Sequence, residues 1–212
     1  KVDKWGRKPL LITGSIGMAV GMFAISALAF FNIIGIDFKV KEQAVHLTQE
    51  SQFPFKPEVS LKVSVSTPVR MRLHIRVPDW ASKPMDIVVN GKKSVTGKAG
   101  SYVDLSRTWK DGDRIDFTLP MDYKVNPYEG IDNIPGFKRY ALEYGPILMA
   151  YSGSFGPEES DKSYSFDLTQ LTPDPIHPLQ FNIKNDPRHA FVPYWMLVPN
   201  QAFYVFPVKT PK

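Results

Sequence analysis

The sequence predicts an all-β protein, an antiparallel β-sandwich of jelly-roll-like type, preceded by one N-terminal hydrophobic transmembrane helix. Two observations lead to this prediction: residues 10–36 form a continuous apolar run, and the rest of the chain carries short segments in which apolar and polar residues alternate. A period of two is typical of half-buried strands. The 19 prolines among 212 residues also favour short strands and turns over long helices.

The composition excludes several classes of protein. With 43% hydrophobic and 22% charged residues, the chain is globular rather than disordered. It contains no cysteine, which excludes a disulfide scaffold, a thiolate zinc site, an iron–sulfur cluster and a cysteine nucleophile. The net charge of +5 comes from scattered basic residues, so we expect no nucleic-acid partner.

The apolar run Leu10–Ile36 contains no charged residue. As a helix it would be about 40 Å long, more than the ~30 Å hydrocarbon core of a bilayer. Four basic residues stand in the first eight positions, so the positive-inside rule places the N-terminus in the cytoplasm. A cleavable signal peptide is the alternative, because Ala27-Leu28-Ala29 resembles a cleavage site. We therefore expect a membrane anchor over residues 1–36 and a β domain over residues 37–212.

The strands of the β domain are predicted from alternation and turn signals. Apolar residues at 59, 61, 63 and 65 alternate with polar ones, and those at 71, 73, 75 and 77 alternate with Arg70, Arg72, His74 and Arg76. Asn90-Gly91 and the segment 109–113 are typical hairpin turns. Residues 157–190, with five prolines, are predicted to form a long excursion or an irregular edge rather than a separate domain. The further predicted strands lie at 86–89, 102–107, 114–119, 140–143, 147–151 and about 202–208.

The charged residues do not define a reaction centre. Hydrolysis of a glycosidic bond usually needs a pair of carboxyl groups, and the sequence singles out no pair. Asp111-Gly112-Asp113 is a candidate calcium or acid–base pair, and the alternative is that both aspartates cap a hairpin. The row of three arginines and His74 can bind an acidic partner or form a solvated sheet face. The four histidines stand apart in the sequence without a metal-binding spacing, and we expect no metal and no cofactor.

Four aromatic residues are the candidates for contact with a carbohydrate, because a flat aromatic face matches the C–H face of a sugar. They are Trp80, Trp109, Tyr194 and Trp195. The alternative is burial in the core, which we favour for Trp80 and Trp109 because they follow turn or strand-end patterns. Tyr194 and Trp195 fit both interpretations.

Several motifs of the β domain resemble those of one enzyme family. They are RVPDWA at 76–81, VNG at 89–91, YVDLSRTWKDGD at 102–113, LPM at 119–121 and ALEYGPIL at 141–148. Their order and spacing resemble the C-terminal β-sandwich of β-L-arabinofuranosidase-type glycoside hydrolases, family 127 and its relatives. The similarity is weaker beyond residue 151, and Gln201-Ala202-Phe203-Tyr204 departs from the Arg-Tyr pattern of the family.

The resemblance implies an upstream helical barrel that carries the catalytic residues, including a cysteine nucleophile and a zinc held by cysteines and a glutamate. This sequence has no cysteine, so no catalytic residue is carried over to it. We therefore expect a non-catalytic sandwich from an enzyme acting on arabinose-containing plant glycans. A carbohydrate-binding module on a membrane anchor is the alternative, with a plant oligosaccharide or polysaccharide as its partner.

The N-terminal segment resembles a different family. DKWGRK at residues 3–8 matches the D-x-x-G-R-K loop of major facilitator sugar transporters, and the glycine-rich run that follows is similar to their next helix. A single helix forms no solute pathway, so transport is not expected. We expect a chimeric or truncated reading frame from a carbohydrate-using bacterium, joined near Ile36–Asp37.

Overall fold

The computed structural model describes residues 33–131, 135–136, 138–155 and 167–209. Within these residues the chain forms strands and two 3-10 helices of three residues each, so the all-β prediction is confirmed. The strands are β1 (Ile33–Val40), β2 (Gln43–Ser51), β3 (Glu58–Val65), β4 (Val69–Arg76), β5 (Met85–Val89), β6 (Lys92–Gly97), β7 (Tyr102–Trp109), β8 (Arg114–Thr118), β9 (Tyr123–Pro127), β10 (Lys138–Tyr144), β11 (Ile147–Gly153), β12 (Leu171–Pro173), β13 (Phe181–Ile183), β14 (Asp186–Pro193), β15 (Phe203–Tyr204) and β16 (Val208–Lys209).

The expected transmembrane helix over residues 10–36 falls outside the described residues except for its last four. Those four, Ile33–Ile36, belong to strand β1, so the expectation that the helix continues to residue 36 is wrong. A continuous apolar run does not distinguish the end of a helix from a strand that follows it directly. Among the described residues, no helix has the length and apolar character needed to cross a bilayer.

The chain forms two compact units. Unit 1 comprises the residues up to Ile75 together with Asp86–Thr96 and Val103–Thr118. Its main sheet has six strands in the order β1-β2-β3-β8-β5-β6, and β4 pairs with β7 in a separate two-stranded sheet. Unit 2 comprises Arg76–Met85, Gly97–Tyr102 and the residues from Leu119 onward, and it contains an eight-stranded sheet.

The core of unit 1 follows the predicted alternation. Val59, Leu61, Val63 and Val65 of β3 are all buried, as the period of two requires. The turn between β5 and β6 is the predicted Asn90-Gly91 hairpin, where both residues have positive φ angles of 50° and 75°. This conformation matches the twist of the flanking strands and favours Asn-Gly.

The core of unit 2 lies on one face of the eight-stranded sheet, whose order is β12-β13-β14-β11-β10-β16, with β15 on β11 and β9 on β10. Phe191 of β14 is fully buried and lies opposite Tyr151 of β11 and Phe181 of β13 in the strand register. Tyr123 and Tyr144 complete this cluster, with ring centroids 5.0 and 4.8 Å from Phe181. Burial raises the pKa of both tyrosines, so they pack here as neutral groups.

Residues 157–190 were predicted to form a long excursion or an irregular edge, and their described part contributes strands to the eight-stranded sheet, with β12 at its edge. Residues 171–173 and 181–183 form β12 and β13, and β14 begins at Asp186. The prolines did not prevent this, because Pro173 ends β12, which is the edge strand of the sheet. Two strands of three residues are also too short to show a periodic pattern.

Candidate functional site

An exposed aromatic surface lies at the end of β14 in unit 2. Pro193 ends the strand, and the 3-10 helix Tyr194–Met196 follows it. Tyr194 is 51% exposed and Trp195 is 53% exposed, and the Phe203 ring lies 6.0 Å from the Tyr194 ring, edge to face. Met196 and Val198 are also exposed beside them in the sequence. We call these five residues the aromatic surface, and it contains two of the four predicted carbohydrate-contact residues.

A hydrogen-bond network anchors the turn of residues 198–202 to strand β11. The Gln201 side-chain amide donates to Ser152 Oγ at 2.7 Å, and Ser152 Oγ donates to the Ala202 carbonyl at 2.9 Å. The Val198 backbone N–H donates to Gln201 Oε1 at 3.0 Å. Gln201, noted in the sequence only as a departure from a family pattern, therefore holds the segment that leads to Phe203.

The other two predicted carbohydrate-contact residues lie elsewhere. Trp109, in unit 1, is fully buried, and its Nε1 donates to the Met71 carbonyl at 3.3 Å. Neither face of its ring is accessible to a sugar, and the position matches the core interpretation. Trp80, in unit 2, is half-buried.

Asp111 and Asp113 lie in the turn that connects β7 to β8 in unit 1. These two strands belong to different sheets, so the hairpin predicted over residues 109–113 is wrong. Asp113 Oδ2 accepts from the Lys110 backbone N–H at 2.8 Å, and Asp113 Oδ1 accepts from the Asn90 amide at 2.8 Å. Asp111 Oδ1 accepts from the Val65 backbone N–H at 3.1 Å. Both carboxylates therefore organise this connecting turn, which agrees with the capping role of the alternative interpretation but not with the hairpin that it assumed.

The electrostatics of Asp113 agree with this structural role. Its burial opposes the charged form, but the hydrogen bonds from Lys110 and Asn90 outweigh that effect, together with the positive charges of Arg107 and Lys110. The pKa of Asp113 therefore lies below its usual value, and the side chain is an ionised acceptor at neutral pH.

Each of the four histidines faces an aspartate, which the sequence analysis missed. The contacts are His46 Nδ1 to Asp37 Oδ1 at 2.6 Å, His74 Nδ1 to Asp104 Oδ1 at 2.6 Å, His177 Nδ1 to Asp174 Oδ1 at 3.0 Å and His189 Nδ1 to Asp186 Oδ2 at 2.8 Å. Two of these pairs share the sequence Asp-Pro-x-His, a spacing that could have revealed them. Within the described ranges, no group of three or more histidine, aspartate or glutamate side chains could hold a metal ion.

The His189 pair is the most buried of the four. The His189 imidazole ring packs against the rings of Tyr151 and Phe155, with centroids 5.0 and 4.9 Å away. Its Nε2 faces the Ser154 carbonyl at 3.1 Å, so both ring nitrogens have partners. The side chain ties the beginning of β14 to the end of β11.

A cavity of about 610 Å³ opens next to this pair in unit 2. Its lining includes Gln180, Asn182, Asp186 and Arg188, which are hydrogen-bonding rather than apolar groups. Asn182 Nδ2 and Gln180 Nε2 donate to Asp174 Oδ2, at 2.7 and 3.4 Å. The side-chain amides of Gln180 and Asn182 thus donate hydrogen bonds that stabilise the loop between Asp174 and β13.

The family comparison agrees with the first of the two resemblances seen in the sequence. Residues 29–121 match the model of the β-L-arabinofuranosidase GH127 middle domain. The match begins eight residues before Asp37, within the apolar run, and it concerns the middle domain rather than a C-terminal one. The comparison with curated proteins gave no significant match.

Solved structures share the fold. A glycoside hydrolase matches with a TM-score of 0.64 at 16% identity, over 84% of this chain and 34% of its own. A GH127 β-L-arabinofuranosidase from Geobacillus stearothermophilus T6 matches with a TM-score of 0.56 at 18% identity, over 81% of this chain and 32% of its own. A GH127 β-arabinofuranosidase matches with a TM-score of 0.54 at 18% identity, over 81% of this chain and 33% of its own.

Residues 29–121 are therefore similar to the GH127 middle domain, and the chain shares its fold with part of each of the three solved structures. The chain spans about a third of the length of the three solved structures. None of the comparisons supports the resemblance of residues 1–36 to a sugar transporter.

Proposed function

We propose that this chain is a non-catalytic β-sandwich of a glycoside hydrolase that acts on arabinose-containing plant glycans. The match of residues 29–121 to the GH127 middle domain carries the proposal. Two GH127 enzymes with the same fold support it, because a fold of this kind forms about a third of each of them.

The residues of the chain fit an accessory role. The sequence has no cysteine to serve as the nucleophile or the zinc ligand that the family resemblance implies. Asp113, the best carboxylate candidate in the sequence, is 8% exposed and accepts hydrogen bonds within its own turn. A general acid or base must be within reach of its substrate.

The test is an assay of sugar release. The full chain in non-ionic detergent is incubated with a panel of arabinofuranosides and arabino-oligosaccharides, and released sugar is measured by chromatography. A complete GH127 enzyme under the same conditions is the control. No release is expected from the chain, and release that persists through repurification would show that it holds an active site of its own.

We propose carbohydrate binding as the second candidate function, because Tyr194 and Trp195 are half exposed on the aromatic surface. Affinity electrophoresis in gels containing neutral arabinan or arabinogalactan tests it. If the surface binds sugar, both glycans retard the chain and Trp195→Ala abolishes the retardation. Tyr102→Ala is the matched control, because Tyr102 is an exposed aromatic residue on β7. Equal mobility with and without glycan would exclude this candidate.

We also propose that the N-terminal apolar run anchors the chain in a bacterial membrane, with the β-sandwich on the periplasmic or extracellular side. As a helix, residues 10–32, which precede β1, would be about 34 Å long, enough to cross the ~30 Å hydrocarbon core. Membranes carrying the full chain are extracted with alkaline carbonate and then treated with protease. We expect the chain to remain in the membrane pellet and the protease to cleave the β-sandwich from outside. The double variant Ala19→Arg with Ala24→Arg is expected to leave the membrane during carbonate extraction. Extraction of the unchanged chain would refute the anchor.

We propose a transporter-like origin only for the residues before 29, because the match to the GH127 middle domain begins there, and this part of the proposal depends on the DKWGRK motif alone. Amplification across the junction from source DNA tests it, and a contiguous expressed transcript would exclude an assembly artefact.

A further inference from the structure

The outer face of the two-stranded β4–β7 sheet in unit 1 is basic. Met71 and Ile75 point into the core and are 8% and 7% exposed, so the residues that alternate with them point outward. Within unit 1, the outward residues of β4 are Arg70, Arg72 and His74. We call them, with Asp104 of β7, the basic face.

One carboxylate only partly neutralises this face. Asp104 Oδ1 lies 2.6 Å from His74 Nδ1, and Asp104 Oδ2 lies 4.0 Å from Arg72 Nη1. Asp104 is thereby held by two basic side chains. In the part of the chain that the structure describes, Arg70 forms no ion pair. The face therefore keeps an excess of positive charge for an external anion.

A shallow depression of about 570 Å³ adjoins the basic face along β6 and β7. Its lining includes the hydroxyl-bearing residues Ser94, Ser106 and Thr108, and also Arg107. The Arg107 guanidinium lies 5.2 Å from the centroid of the Trp109 ring, which limits its freedom. The depression thus offers hydroxyl groups and a positioned cation beside the arginine row.

We propose that the basic face and this depression bind a carboxylate-bearing polysaccharide, a polyuronate. Arginine suits this ligand because its planar guanidinium pairs with a carboxylate through two parallel hydrogen bonds. Residues two apart on a strand are roughly 6.7 Å apart, less than the ~8 Å Debye length at physiological salt, so Arg70 and Arg72 act together. The serine and threonine hydroxyls suit the hydroxyl groups of sugar rings. The choice of a polysaccharide over another polyanion rests on the proposed function.

Affinity electrophoresis of the full chain in non-ionic detergent tests the proposal. Mobility is measured in gels that contain polygalacturonate, neutral arabinan or a single-stranded DNA oligonucleotide. The test variant is Arg70→Gln with Arg72→Gln. The matched control is Lys83→Gln with Lys98→Gln, which removes the same charge from two exposed lysines elsewhere. Thermal unfolding of each variant confirms that it is folded.

We expect polygalacturonate to retard the unchanged chain and the lysine control, and to do so less as salt is raised. For the arginine variant, the apparent affinity is expected to fall about tenfold, because each exposed charge contributes modestly. Equal retardation of the two variants, or no retardation of the unchanged chain, would overturn the proposal. Equal retardation by the oligonucleotide would also overturn it, since the face would then select charge and not polysaccharide. None of these outcomes depends on the sugar-release assay, so the two proposals fail separately.

Discussion

At the scale of single residues, exposure separates the aromatic side chains that hold the fold from those that face outward. Trp109 is fully buried in unit 1, whereas Trp195 in unit 2 is 53% exposed. Both are tryptophans next to turn or strand ends, and sequence reasoning alone could not place them with certainty. The two tryptophan side chains are therefore expected to contribute very different amounts to the free energy of unfolding.

We expect Trp109→Ala to lower the free energy of unfolding by about 3–5 kcal/mol, because it removes a large buried ring and leaves a cavity. Trp195→Ala is the matched comparison, and we expect it to lower the free energy of unfolding by less than about 1 kcal/mol. Urea unfolding followed by circular dichroism measures both. Similar losses for the two variants would contradict the assigned burial.

Asp113 provides a second prediction at this scale. We expect Asp113→Ala to cost about 1–3 kcal/mol, because the Lys110 N–H and the Asn90 amide lose their acceptor in a buried turn. Asp116→Ala is the control, because the Asp116 carboxylate is more exposed and pairs with Arg114 on the surface. Urea unfolding at pH 7 compares them. A larger loss for Asp116→Ala would contradict the role of Asp113 in the turn.

At the scale of elements, the strands with regular alternation were predictable and several others were not, including the long strands β2 and β14. The alternation over residues 58–66 and 70–77 predicted β3 and β4 within one residue at each end. Strands β12 and β13 have three residues each and lie among prolines, so no periodic signal marks them. Strand β1 was hidden because it continues an apolar run.

The β5–β6 hairpin yields a prediction about its turn. Gly91 has φ +75°, and an added Cβ would meet nothing within 4 Å, so only the backbone conformation opposes a side chain. We expect Gly91→Ala to destabilise the chain by about 1 kcal/mol, since a left-handed conformation is unfavourable for alanine. Gly91→Asn should cost less, because asparagine tolerates that conformation. Thermal unfolding ranks the three proteins, and equal melting temperatures would contradict the turn geometry.

At the scale of the whole molecule, both units contain aspartates whose ionised form the fold stabilises. The pKa of Asp174 lies well below its usual value, because the Asn182 side chain and the His177 and Ile176 backbone N–H groups donate to it. The pKa of Asp86 is lowered by its hydrogen bonds to Lys93 and Thr96. Together with Asp113, these groups link stability to pH.

We expect stability to fall in acid. Each pKa is lower in the folded chain than the unfolded value of about 3.9, so the contribution is present above that value. It is lost as the pH falls below about 4 toward the folded pKa. Urea midpoints at pH 7, 5, 4 and 3 measure this loss. Asp174→Asn with Asp113→Asn should flatten the dependence, and an unchanged slope in that variant would contradict the assignment.

The sequence by itself determined the all-β class, the inward residues of the alternating strands and the Asn90-Gly91 hairpin turn. These features depend on the order of residues within a short segment, so they are visible as alternation of apolar and polar residues or as a local turn motif. The resemblance to the GH127 sandwich was also visible in the motifs. Only the tertiary structure decided the contact of Gln201 with Ser152 and that of His74 with Asp104. Those contacts join residues 49 and 30 positions apart, and no local pattern records which distant side chains the strand pairing brings together.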